Sequence, residues 1–152
     1  MSVLDYQVDE DLTAVVESRM YMETSEGLSS GANLILVVDD NCQIVELICQ
    51  ALKIVGVRSL AAGGPRVAQA LWEKHRDEIS VVLTDIRMPE MNGDELVNTF
   101  LKEKPDLKYV FTSGTPWVTD TPLEQGVNFF QKPFSFREVT TRLKGMIDSD
   151  QA

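Results

Sequence analysis

ISVVLTDIRMPEMNG, residues 79–93, opens with a continuous apolar run, breaks off in a single acid, Asp85, and passes into a loop carrying Pro89 and Gly93. A strand covered on both faces reads this way, because neither side presents polar groups to water. LILVVDD (34–40) repeats the pattern and also ends in acids, Asp39 and Asp40. Between the two runs, Ile44, Leu47, Ile48, Ala51, Leu52 and Val55 recur at helical spacing until Gly56 stops them. VRSLAA (57–62) reads as a shorter strand, and 65–76 as a helix carrying Val67, Ala70 and Leu71. Beyond the loop, Leu96, Val97, Phe100 and Leu101 mark a helix that Pro105 ends. LKYVFTSG (107–114) and GVNFFQKP (126–133) supply two more strands. A last helix starts near Ser135, a good N-cap, and carries Val139, Leu143, Met146 and Ile147.

Five strands alternating with about five helices imply a parallel sheet covered on both faces, joined by right-handed crossovers. The economical fold is a flavodoxin-like, doubly wound five-stranded parallel sheet of order 2-1-3-4-5. One connection departs from the pattern. TPWVTDTPLEQG (115–126) carries Pro116 and Pro122, which oppose a regular helix, so the fourth helix is expected to be short or irregular.

The domain is expected over 34–148, with an acidic extension at 1–33 and a short tail at 149–152. Residues 1–33 hold seven acids and one base, against a net charge of −10 for the whole chain. Leu12, Val15, Val16, Arg19 and Met20 hint at a short amphipathic helix, with a mobile acidic tail the equal alternative, and ETSEGLSSGAN reads as a linker. This charge argues against direct binding to nucleic acid or to an anionic membrane. No apolar run approaches the ~20 residues that span a bilayer, and the acidic N-terminus lacks the features of a signal peptide. A cytoplasmic protein is expected. Cys42 and Cys49 lie seven apart in one helix. That separation is roughly 10.5 Å along the axis, beyond the ~7 Å Cα limit of a disulfide, so both read as reduced packing residues. His75, in the polar run WEKHRDE, reads as a surface residue, and Trp72 and Trp117 read as packing residues in preference to partner contacts.

The chemistry collects at one edge. Asp39 and Asp40 end the first strand, Asp85 the third, Ser113 the fourth and Lys132 the fifth. In the order 2-1-3-4-5 the first and third strands are neighbours at the topological switch point, where ligands bind beyond the strands' carboxyl ends. Two carboxylates ~4 Å apart at an effective dielectric of ~20 repel by about 4 kcal/mol. A bound divalent cation is the natural remedy, and an all-oxygen donor set suits Mg²⁺ better than Zn²⁺. Lys132 offers a point charge and Ser113 a hydrogen bond to a phosphoryl oxygen.

LVVDDN, LTDIRMPEMNG, VFTSG and FFQKPF, in this order and at these spacings, closely resemble the signature of response-regulator receiver domains in two-component signalling. The resemblance covers roughly residues 34–147. It implies that Asp85 is the phosphoacceptor, and that Asp40 ligates Mg²⁺ with Asp39 assisting and the main-chain carbonyl of Arg87 adding a ligand. It also implies that Ser113 and Lys132 contact the phosphoryl group, that Phe129 is the aromatic switch residue, and that Lys132–Pro133 is a cis peptide. The donor would be a sensor histidine kinase or a phosphotransfer protein, and the only chemistry the chain's own phosphorylation and dephosphorylation. Arg87 and Thr115 would tune the lifetime of the acyl phosphate. Phenylalanine at 129 lacks the hydroxyl of the more usual tyrosine. Without an output domain, output through protein contacts, phosphoryl relay or phosphate sequestration is expected, a homodimer being one arrangement that the irregular fourth helix puts in doubt.

Three competing readings bear on the same residues. A haloacid-dehalogenase-type phosphatase also uses an Asp nucleophile with Mg²⁺, but needs an acid two residues after it, where Asp85 is followed by Arg87. A phosphate-independent binding module would be favoured by loss of a key acid or of the lysine, and all are present. A receiver domain from a hybrid histidine kinase shares the whole pattern, and the initiating Met1 and acidic extension weigh mildly against it.

Overall fold

The computed structural model describes residues 33–114 and 123–150. Strands β1 (Leu34–Val38), β2 (Arg58–Ala62), β3 (Ile79–Asp85), β4 (Lys108–Ser113) and β5 (Phe129–Gln131) alternate with helices α1 (Cys42–Ile54), α2 (Pro65–His75), α3 (Gly93–Glu103) and α4 (Phe136–Asp150). The strands form one parallel sheet of order β2-β1-β3-β4-β5, the expected doubly wound arrangement. The amphipathic reading at 1–32, Thr115, Pro116, Trp117, Pro122 and most of the connection expected to hold a short or irregular helix lie outside the described residues.

Both faces of the sheet are packed, which is why β1 and β3 are buried along their whole length. Alternation along the strands divides their side chains between two cores. Ile35, Val37, Val81, Leu83, Val110 and Phe130 meet Ile44, Leu47, Ile48 and Leu52 of α1 and Val139, Leu143 and Ile147 of α4. Leu34, Leu36, Val38, Leu60, Val82 and Phe111 meet Ala68 and Trp72 of α2 and Leu96, Val97 and Phe100 of α3. Trp72 stacks on Phe100 with ring centroids 4.2 Å apart and places Nε1 3.4 Å from Glu103 Oε1. Its role is packing.

The helix ends follow local chemistry. The Asn41 side chain accepts the amide protons of Gln43 and Ile44 at the head of α1. The Ser135 hydroxyl accepts that of Glu138 at the head of α4. Gly56, at φ +81°, takes the left-handed conformation just beyond α1.

Several expectations shift. Val55 caps α1 and is exposed, because the helix ends at Ile54 before its stripe returns to the core. On α2 the buried side chains are Pro65, Ala68 and Trp72, while Val67 and Ala70 face solvent, since the bulk of Trp72 decides which face turns inward. The fifth strand shrinks to three residues, its start giving way to a turn closed by Gly126 N–H on the Phe129 carbonyl at 2.8 Å. Cys49 is a packing residue as expected, but Cys42 is exposed: it stands in the first turn of α1, off the apolar stripe. His75 is partly exposed, with Nδ1 3.2 Å from Glu78 Oε2.

Replacing Trp72 by alanine empties the centre of the second core and leaves Phe100 unstacked. A loss of about 3–5 kcal/mol is expected, read as a lowered urea midpoint with little change in slope, whereas Val67→Ala on the exposed side of the same helix leaves the midpoint almost unchanged.

Candidate functional site

The carboxyl ends of the strands bring the predicted residues to one crevice. β1 pairs with β3 in a register that sets Val38 beside Thr84, so Asp39 and Asp85 leave the sheet side by side. One carboxylate oxygen each from Asp39, Asp40 and Asp85 lie within 4.8 Å of one another. Asp39 and Asp85 are buried, and Asp40 is exposed at the rim. The Asp39 carboxylate also accepts the Asn41 amide at 2.9 Å through Oδ1, so the residue that caps α1 helps to hold the cluster.

Lys132 reaches the acids from the end of β5. Its Nζ lies 2.8 Å from Asp39 Oδ2 and 3.2 Å from Asp85 Oδ2. The Lys132 amide donates to the Ser113 carbonyl at 2.8 Å, which extends the β4–β5 pairing to the edge of the site. Lys132–Pro133 is cis. Ser113 is fully buried at the end of β4. Phe129 is half-buried on β5 opposite Phe111 and packs against the α2–α3 core, while Phe130, one residue on, enters the other core. The Arg87 side chain is exposed, but its main-chain N–H donates to the Asp85 carboxylate.

Residues 35–144 match the family model of the response regulator receiver domain. The chain belongs to this family. The sensor kinase CckA of Brucella abortus is 29% identical in an alignment 149 positions long that covers 91% of this chain and 15% of the kinase. The probable transcriptional regulatory protein TcrX of Mycobacterium tuberculosis is 29% identical in an alignment 116 positions long that covers 74% of this chain and 49% of that protein. This receiver therefore spans half or less of each of these curated relatives. A response regulator receiver domain protein from Clostridium thermocellum has the same fold, with a TM-score of 0.65 at 21% identity over 78% of this chain and 96% of that one.

Within the receiver, burial and charge pull the acids in opposite directions. Two short ion pairs to Lys132 favour the carboxylate forms, yet the Asp39 carboxyl is pushed up from 3.8 to about 6 because its loss of water outweighs Lys132 and because Asp85 lies close. Asp85 shifts in the same direction, again chiefly through burial, against the opposing effects of Lys132 and the Arg87 amide. One ammonium does not compensate three carboxylates. The donor set, three hard oxygen ligands within 4.8 Å, fits a small divalent cation such as Mg²⁺.

Two contributors to the site stand within the motif LTDIRMPEMNG without having been given a role from the sequence. Gly93 opens α3 so close to the acceptor strand that a Cβ there would stand 2.2 Å from the Asp85 carbonyl oxygen. Thr84, fully buried, donates its hydroxyl to that same oxygen at 3.0 Å. Only the glycine at the start of a helix carries a signal in the sequence, and the hydroxyl carries none.

The raised Asp39 pKa has a definite consequence for stability. The folded state holds this proton more tightly than the unfolded chain, so the associated stability is full below about pH 4 and is lost as pH rises toward 6. The loss follows from the upward shift, to which desolvation contributes most. In EDTA, Asp39→Asn should therefore gain stability relative to the unsubstituted chain between pH 4.5 and 7.5. Mg²⁺ should raise the melting temperature of the unsubstituted chain more at pH 7.5 than at 4.5. A difference between the two proteins that is flat with pH would remove the electrostatic account.

Proposed function

We propose that the chain is a phosphoacceptor response regulator that takes a phosphoryl group onto Asp85 from a sensor histidine kinase or phosphotransfer protein. The observation that carries this reading is the meeting of Asp39, Asp40 and Asp85 with the Lys132 ammonium set between two of the acids. An Asp85 oxygen forms a bond to phosphorus as the phosphorus–nitrogen bond of the donor phosphohistidine breaks, and the electron pair leaves on the imidazole nitrogen. Little proton transfer is needed, so positioning and charge neutralisation carry the rate. Lys132 receives one phosphoryl oxygen and the Ser113 hydroxyl donates to another. The Arg87 amide holds the attacking carboxylate in place.

Asp39, Asp40 and Asp85, with the main-chain carbonyl of Arg87, would hold Mg²⁺, which supplies neutralisation of the charge on the transferred group. Water attack on phosphorus later returns Asp85 and inorganic phosphate, so the chemistry is confined to the chain's own phosphorylation and dephosphorylation. In the phosphorylated state Ser113 and Phe129 shift together and reshape the surface at β4 and β5, a two-state response biased by one charged group. The readout is contact with another protein, a reading supported by the net charge of −10, which disfavours nucleic acid as the direct target.

One observation favours a second setting for the same chemistry. The alignment with the sensor kinase reaches beyond the family match into the segment before β1. A receiver operating in a hybrid-kinase relay, exchanging its phosphoryl group with a phosphotransfer histidine, would account for it.

Intact-mass spectrometry after incubation with acetyl phosphate and Mg²⁺ tests the acceptor. One added phosphoryl mass is expected, labile to hydroxylamine and absent from Asp85→Asn and from an EDTA control. No adduct with acetyl phosphate, with beryllofluoride or with a histidine kinase would replace this reading with a phosphate-independent binding module.

A further inference from the structure

We infer that Thr84 is a positioning residue for the reacting carboxylate, acting through the main chain of Asp85 to Arg87. The inference rests on Asp85 as acceptor and adds a residue to that chemistry. It begins with the fixed points around the peptide that follows the acid. The Thr84 hydroxyl donates to the Asp85 carbonyl at 3.0 Å and lies 3.9 Å from Met88 Sδ. Its methyl faces Gly93, since a Cβ on that glycine would stand 3.0 Å from Thr84 Cγ2 and 2.2 Å from the Asp85 oxygen. The same β-branched side chain therefore holds the carbonyl with one branch and seats α3 with the other.

Main-chain bonds hold the other end of this peptide and the start of the next. Ile86 donates its amide to the Thr112 carbonyl at 2.9 Å, and its own carbonyl accepts the Gly93 amide at 2.7 Å. With the Asp85 carbonyl and both polar groups of Ile86 engaged, the direction of the following amide is determined. That amide belongs to Arg87 and donates to the Asp85 carboxylate. Thr84 thus orients a carboxylate it does not touch. Beyond it the loop turns sharply, with Glu90 at φ 76° and the Met91 amide donating to the Pro89 carbonyl at 2.9 Å, so slack at Asp85 has little room to be absorbed there.

A threonine that served only to fill the core would tolerate valine, which has the same shape. A positioning threonine would not, because valine keeps the branched shape and replaces the donating hydroxyl with a methyl. The test compares Thr84→Val and Thr84→Ser with the unsubstituted full chain. The Arg87 amide is followed in proton–nitrogen NMR spectra, and phosphoryl uptake is timed against acetyl phosphate concentration in Mg²⁺. For Thr84→Val the Arg87 resonance should move, and uptake at saturating donor should slow roughly 5- to 10-fold, the worth of about one hydrogen bond, with the half-saturating concentration unchanged. Thr84→Ser should restore both. Valine that lowers the melting temperature yet leaves the Arg87 resonance and the uptake rate as they were overturns the inference. If the unsubstituted chain takes up no phosphoryl group, it is the acceptor reading that fails. The Arg87 resonance in the valine variant then decides alone: a shift upholds the positioning role, and no shift ends it.

Discussion

A single ammonium between two buried carboxylates is the constraint around which this site is organised. Lys132 approaches Asp39 and Asp85 to within 2.8 and 3.2 Å in a pocket where all three side chains are almost wholly removed from water. Such a cluster is poor support for a fold, since desolvation consumes much of what the ion pairs return. The upward shifts of both acids express that deficit. The arrangement is therefore better understood as a site kept ready for further charge than as a structural clasp. When all three acids are ionised, two negative charges stand uncompensated, which is what a divalent cation would answer.

The fold makes this concentration of charge tolerable by confining it to one edge. In a parallel sheet every strand points the same way, so the ends of β1, β3, β4 and β5 open onto one crevice, and two apolar layers bury the rest. Asp39 and Asp85 adjoin because β1 and β3 are paired neighbours at the switch in winding direction. Lys132 arrives from the far edge of the sheet through β5, aligned by its amide on the Ser113 carbonyl. Short as β5 is, three residues suffice to bring the cation over.

Much of this was legible from the chain. LILVVDD and ISVVLTD are apolar without alternation and stop in acids, so burial on both faces and the placing of the acids came from the same few residues. Asp39, Asp85 and Lys132 meet where the strand order requires. Legibility failed where a local pattern yielded to a tertiary choice. Val67 and Ala70 fit a helical stripe as well as Ala68 and Trp72 do, and only stacking of Trp72 on Phe100 shows which set faces inward. Val55 continues the α1 stripe in sequence but falls past the helix end. The spacing that excludes a disulfide suggests packing for Cys42 as for Cys49, but its place in the first turn of α1 leaves it in solvent. Within the site the side chains that bear charge could be read. The hydrogen bonds that aim them, from Asn41 and the Arg87 amide to carboxylates and from Thr84 to a carbonyl, run along the main chain and leave no mark on composition or spacing.

That division has a consequence for how receivers with the same charged residues can differ. The acids and the lysine set what chemistry is open to the site, but they carry long or rotatable side chains whose direction they do not determine themselves. Direction comes from groups that cannot rotate: a helix cap beside Asp39, a glycine pressed to within van der Waals limits of the Asp85 carbonyl, and a peptide pinned at both of its polar groups. A misplacement of about 1 Å in a reacting group can cost on the order of a hundredfold in rate, far more than the few-fold effect of removing one hydrogen bond alone. On the proposed reading, the rate at which such a site reacts would depend on residues such as Gly93 and Thr84 as well as on the acids the motif displays, and two chains with identical acids and lysine would react at different speeds where their β3–α3 junctions hold the acceptor differently.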